Sequence, residues 1–218
     1  MSDLYTPQHR ALHDEFDTRR MADLMEGGIV HDALAPHERA FIEKLDCFFL
    51  ATTDVAGRPT VSYKGGDPGF VRVLDERTLL FPAYDGNGMF FSMGNLAAKP
   101  EVGFLFIDFE TPDRLRVQGT ATIERDPTLM ALYPEAHFLV RTTITHIWLN
   151  CSRYVHKRVK VASSKYVPKA GSETPVPSWK RIDLVQDALP AKDQGKADAL
   201  GGVITVDEYA AKIASGDA

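Results

Sequence analysis

The chain has 218 residues, 44% of them hydrophobic, which suits one sizeable core with appended helices. Thirty Asp and Glu against 25 Lys and Arg give a net charge of -5, the wrong sign for non-specific nucleic-acid binding. Two cysteines, Cys47 and Cys151, lie far apart and beside apolar residues, so no disulfide framework and a reducing cytoplasmic setting are expected. The opening Met-Ser-Asp-Leu-Tyr has no basic stretch leading into an apolar one, and no apolar run has bilayer-spanning length, so neither export nor membrane insertion is expected.

From Pro7 to about Met25, Leu12, Phe16, Met21, Leu24 and Met25 recur at roughly helical spacing, and Gly27-Gly28 closes the segment. One amphipathic helix is predicted there. A second spans His37 to Leu45 behind Pro36, with Phe41, Ile42 and Leu45 on one face. Cys47 to Thr53 is β-branched and aromatic, and the turn Asp54-Val55-Ala56-Gly57 returns it as Thr60 to Tyr63, which predicts a hairpin. Phe70 to Val73 and Thr78 to Phe81 repeat that pattern.

Ser92 to Lys99 reads as a short helix stopped by Pro100. Val102 to Phe109 is a near-continuous apolar run, as for a strand buried on both faces, whereas Arg114 to Ile123 alternates and should have one polar face. A helical turn opens at Asp126-Pro127, and Phe138 to Trp148 forms a strand with Arg141, Thr143 and Thr145 on one side. About six strands with few intervening helices imply a mainly β, antiparallel barrel over residues 47–165. A helical extension precedes it at 1–46, and a C-terminal loop and short helix follow at 166–218, with Thr205 as N-cap and Glu208 three residues on.

The stretch 62–110 says most about function. Its turns are rich in Gly, Asn and cations, the composition expected where backbone approaches a phosphate-bearing ligand. Other chemistries find less support. Cys151 and His156 lack any accompanying oxyanion hole, and His137, His146 and His156 have neither helical-pair spacing nor a Cys-x-x-Cys or His-Glu-x-x-His motif, so no metal site is expected. Phe90 and Phe91 read as core residues.

The order of Phe-Leu-Ala-Thr-Thr-Asp-Val-Ala-Gly-Arg-Pro at 49–59, Ser-Tyr-Lys-Gly-Gly-Asp-Pro-Gly-Phe-Val-Arg-Val at 62–73, Asp-Gly-Asn-Gly-Met at 85–89, Gly-Asn-Leu-Ala-Ala-Lys-Pro at 94–100 and Arg-Leu-Arg-Val-Gln-Gly at 114–119 resembles the pyridoxamine 5'-phosphate oxidase-related, FMN-binding split-barrel family. Asn-Cys-Ser-Arg-Tyr-Val-His-Lys at 150–157 fits the same pattern. The resemblance implies a six-stranded split barrel, a homodimer with FMN at its interface, and a small organic substrate. It also implies site residues: Ser62 and Lys64 toward the flavin, Phe81, Pro82 and Ala83 beside the ring, and Asn87, Gly88 and Met89 where true oxidases place a Ser-Arg-Lys phosphate clamp. Arg114 and Arg116 are candidate substitutes for that clamp, Asn95 a donor at a helix start, and Trp179 a C-terminal group sent toward the partner's flavin. The missing clamp, and the lack of a C-terminal Arg-x-His element, argue against authentic pyridoxamine 5'-phosphate oxidation. Flavin storage without catalysis, or heme or F420 in the same groove, are the alternatives that the resemblance leaves open.

Overall fold

The computed structural model describes residues 4–217. Two compact units make up the chain, one running through Ser163 and the other starting at Ser164.

In the first unit the N-terminal segment is a helical hairpin, α1 (Pro7–Glu15) and α2 (Arg19–Gly28), rather than one helix. Asp17 takes a left-handed conformation (φ 52°), which a short polar residue tolerates, and the break lets Arg10 meet Asp23 at 2.6 Å and Glu26 at 2.5 Å. A continuous helix would hold Arg10 and Asp23 about 20 Å apart along its axis. Leu12, Phe16, Met21 and Leu24 all remain more than half exposed. The expected second helix is α3 (Pro36–Lys44), which buries Ile42.

Seven strands form one antiparallel sheet: β1 (Cys47–Thr53), β2 (Pro59–Gly65), β3 (Arg72–Asp75), β4 (Thr78–Ala83), β5 (Glu101–Asp108), β6 (Asp113–Glu124) and β7 (Phe138–Asn150). Their spatial order is β2-β1-β5-β6-β7-β4-β3, one strand more than expected. Three strands separate β1 from β4 in that order, yet the Phe48 ring on β1 lies 5.1 Å edge-on from Phe81 on β4. The sheet therefore curls round its inner face, and Phe48 also meets Phe70, Phe104 and Phe106 within 5.8 Å. This is the split barrel, its core built from the inward residues of each strand.

A local irregularity bends the sheet. Between Gln118 and Gly119 the β6–β7 register shifts by a bulge, and a Cβ on Gly119 would stand 2.4 Å from the Thr143 carbonyl oxygen. In β5, burial alternates: Val102, Phe104 and Phe106 point inward, while Gly103, Leu105 and Ile107 are only partly covered. The sequence expectation of burial on both faces is corrected here, because an apolar outer face stays open. Strand β6 does carry the predicted polar outer face. Two helices complete this unit, α4 (Phe91–Ala98) and α5 (Pro127–Met130), the latter capped by the Asp126 carboxylate.

The second unit contains 3-10 turns at Ser178–Arg181 and Asp183–Ala188, α6 (Lys196–Ala199) and α7 (Val206–Ser215). Its centre is a buried ion pair, Lys180 to Asp193 at 2.8 Å. Thr205 and Glu208 cap α7 reciprocally, as their spacing predicts: Glu208 N–H donates to Thr205 Oγ1 at 3.2 Å, and Thr205 N–H to Glu208 Oε2 at 2.7 Å.

Candidate functional site

Strand β2 is an edge strand, and its two faces serve different purposes. Thr60, Ser62 and Lys64 face the side on which α4 packs; Val61 and Tyr63 alternate with them and are about two-thirds exposed. Two hydrogen-bond ties fix α4 against the β1–β2 hairpin. Ser62 and Ser92 share a hydroxyl hydrogen bond at 2.6 Å, and Asn95 Nδ2 donates to Thr52 Oγ1 at 3.1 Å and to Thr60 Oγ1 at 3.4 Å.

Between the end of β2, the end of β4 and the start of α4 lies a cleft of about 380 Å³. That is the lower end of the about 300–1,000 Å³ typical of small-molecule sites. Its walls are Ser62 to Gly65 with Phe70, then Pro82 and Ala83, the loop 84–89, and residues 90–93 at the head of α4. Asn87 Oδ1 accepts from the Met89 N–H at 3.1 Å, closing an Asx turn, and Gly88 supplies the positive φ (77°) that the turn needs. Phe90 holds the left-handed conformation (φ 47°, ψ 30°) as it enters α4, a geometry rare for an aromatic residue. Its ring stacks 6.3 Å from Phe138 and tilts 6.0 Å from His137.

The charge arrangement favours an anion. Burial pushes the Lys64 ammonium below its ordinary pKa, and no described side chain or backbone group pairs with it. The free N–H groups and positive dipole end of α4 open onto the same cleft. Two tyrosines flank it. Burial, together with Cys47 and Asp46, raises Tyr63 to about 12, and burial with Asp67 and Glu135 raises Tyr84, so both stay neutral phenols at pH 7. Among the described residues no group of three His, Cys, Asp or Glu could hold a metal ion.

Of the residues singled out from sequence, Ser62, Lys64, Pro82, Ala83, Asn87, Gly88 and Met89 line this cleft together. The others lie elsewhere. Phe81 is fully buried and turns its ring into the core. Asn95 sits in the middle of α4 rather than at its start, and its amide is spent on Thr52 and Thr60. Arg114 donates to the Cys151 carbonyl at 2.7 and 3.0 Å, and Arg116 donates to Asn150 Oδ1 at 2.6 Å. Both thus brace β6 against the end of β7. Trp179 belongs to the second unit, in its first 3-10 turn. Phe90 and Phe91, read as core, are about half exposed at the cleft rim instead. Tyr84, which sequence reasoning passed over, sits directly after the Phe-Pro-Ala stretch, and that adjacency was its only signal.

A curled antiparallel sheet with an anion-favouring cleft between its edge strand and a helix N-terminus defines a split-barrel protein with a candidate small-molecule site. Residues 34–144, about half of the chain, match the profile of pyridoxamine 5'-phosphate oxidase, and the chain belongs to that family. Similar solved structures include HupZ of Group A Streptococcus, at 16% identity over 58% of this chain and 99% of that one, with a TM-score of 0.45. The heme storage protein HutZ of Vibrio cholerae is 21% identical over 54% and 94%, TM-score 0.39. An FMN-binding protein of Syntrophomonas wolfei is 12% identical over 65% and 96%, TM-score 0.41. Among curated proteins no match is found.

Proposed function

We propose that this chain is an FMN-binding flavoprotein, an oxidoreductase that acts on a small organic substrate and works as a cytoplasmic homodimer. The observation that carries the reading is Lys64, a half-buried ammonium without a partner among the described residues, facing a cleft that the head of α4 also lines. An unpaired desolvated cation is costly unless an anion joins it, and a flavin phosphate or ring carbonyl is such a partner. Bound FMN would supply electron and hydride transfer.

The chain's own residues have definable tasks there. Lys64 and the α4 N–H groups bind the anionic end, while the Asx turn at Asn87 and the glycines beside it let backbone approach closely. Phe90, Phe91 and Met89 present apolar surface at the rim and exclude water from the ring. The dimer is supported by the open outer face of the sheet, where Phe49, Val61, Leu105, Ile107 and Trp148 line an apolar depression. Cys47 and Cys151 are both free thiols, in keeping with a reducing compartment.

Denaturing the purified protein and identifying the released molecule by absorption and mass tests the reading. FMN released at about one per chain is the expected result. A Soret band, F420, or a colourless protein that takes up no FMN overturns it. Bleaching of the bound flavin by NADH or NADPH supports the oxidoreductase; a flavin reduced only by dithionite makes the protein a store.

A further inference from the structure

The walls of the cleft differ in character, and an anionic guest suits only one of them. Lys64 and the head of α4 bring positive potential, whereas the wall just past β4 is Tyr84 and Asp85. The Tyr84 phenol is partly buried and has no hydrogen-bond partner among the described residues. Burial, and then the nearby Asp67 and Glu135 carboxylates, raise its pKa, so at pH 7 it is a neutral donor with an unused O–H. Tyr133, the neighbouring phenol, is already engaged: it donates to the Leu80 carbonyl at 3.2 Å.

Phe90 is an independent observation at the same cleft. An aromatic residue in the left-handed region is strained and stays there only where its surroundings hold it, and such residues gather at ligand sites. Here the strained backbone sets the Phe90 ring against Phe138 and His137, and His137 is itself 3.7 Å from Asp85. The ring is thus backed by protein, yet half of the residue is left open where it lines the cleft. A fixed, half-open aromatic ring beside an unused phenol O–H is a platform for a flat molecule that carries a hydrogen-bond acceptor.

Resting on the FMN reading above, we infer that Tyr84 and Phe90 select the substrate: a planar, conjugated molecule whose ring lies against Phe90 and whose uncharged carbonyl-type oxygen accepts from the Tyr84 phenol. Carboxylates are rejected at this wall, because Asp67, Asp85 and Glu135 place like charge around the donor. An uncharged oxygen takes the same hydrogen bond without that repulsion. A substrate that lacks the acceptor leaves the phenol unpaired in the closed site, which is the stronger form of discrimination.

The test titrates FMN-loaded protein with benzamide, benzoate and cyclohexanecarboxamide, and reads binding by calorimetry and by the change in the visible flavin spectrum. Benzamide, flat and uncharged, should bind about 5- to 10-fold more tightly than either of the others. Tyr84→Phe should weaken benzamide about 3- to 10-fold, with a smaller fall in FMN affinity. Phe90→Leu keeps apolar bulk at the rim but not the flat ring, so the preference for benzamide over cyclohexanecarboxamide should vanish, and Phe90→Tyr should retain it. The inference is overturned by benzoate binding as well as benzamide, by no binding of benzamide, or by probe affinities that neither variant moves. A Tyr84→Phe protein that loses FMN as fully as benzamide also overturns it, since the phenol then serves the flavin. Failure of the wild-type protein to take up FMN is a different result: it overturns the earlier reading, and this inference with it.

Discussion

His31 holds its imidazole between two acceptors: Nε2 lies 2.8 Å from Glu38 Oε2, and Nδ1 lies 2.8 Å from the Ile29 carbonyl oxygen. A neutral imidazole donates from one nitrogen only, so the doubly protonated ring alone satisfies both contacts. Glu38 is 2% exposed and also accepts the Ala35 N–H at 2.9 Å. His31 also pairs its backbone with Ile147 of β7, so this contact clasps the α2–α3 connection to the sheet.

A pH dependence follows from that clasp. Partial burial pulls the His31 pKa down, but the Ile29 carbonyl, Glu38 and Asp32 outweigh it and raise the group above 6.5. Asp32 itself pairs with Arg77 at 2.6 Å, and His146 flanks Ile147 on β7. With a raised folded-state pKa, the contribution is complete below about pH 6.5 and disappears as pH climbs through the folded value, because above it the folded state no longer binds the extra proton. Thermal unfolding of the wild type and of His31→Gln should therefore differ most near pH 6 and converge toward pH 9. Parallel pH profiles for the two proteins would remove the clasp.

At the bulge, Gly119→Ala is expected to destabilise by about 1–3 kcal/mol, since the new Cβ meets the Thr143 carbonyl at 2.4 Å and Thr142 Cγ2 at 2.8 Å. Backbone lies on one side and a packed strand on the other, so little can yield. Gly103→Ala is the control, because its Cβ finds only Ala51 Cβ at an ordinary 3.6 Å. Urea midpoints of the two variants check the contrast; equal midpoints would mean that β7 shifts freely.

These features also mark what the sequence made legible. Strand alternation in β6 and the capped terminal helix were readable because each depends on residues a few positions apart. The break at Asp17 was not, since it follows from Arg10 finding Asp23 and Glu26 across a turn. Lys64 could be singled out by its setting among glycines, but Phe90 and Phe91 could not: an apolar pair at the start of a helix reads as core until the helix is seen to open onto a cleft. Arg114 and Arg116 read as phosphate ligands only until their partners, the Cys151 carbonyl just past β7 and Asn150 at its end, are seen.

Asn95→Ala separates support from ligand binding. Losing the amide strands the buried Thr52 hydroxyl and loosens α4 from the hairpin, an expected cost of about 1–2 kcal/mol in folding stability. FMN affinity should fall by less than about threefold where the fold is intact, because the amide does not face the cleft. A loss of affinity as large as that of a Lys64 variant, at unchanged stability, would make Asn95 a ligand after all.

Lys64→Met should move stability and binding in opposite directions. The methionine keeps most of the side chain's length and apolar surface but removes a half-buried ammonium whose charged form burial disfavours and which has no partner among the described residues. The ligand-free variant is therefore expected to gain several tenths to about 1 kcal/mol in stability. FMN binding should weaken about 10- to 100-fold, as one charge-assisted hydrogen bond to an anion is lost. Denaturation of the ligand-free protein and flavin fluorescence titration measure the two effects separately. A cation kept for structure would lose stability on this substitution, so a destabilised variant with unchanged FMN affinity would place the anion elsewhere and free Lys64 from any part in the site.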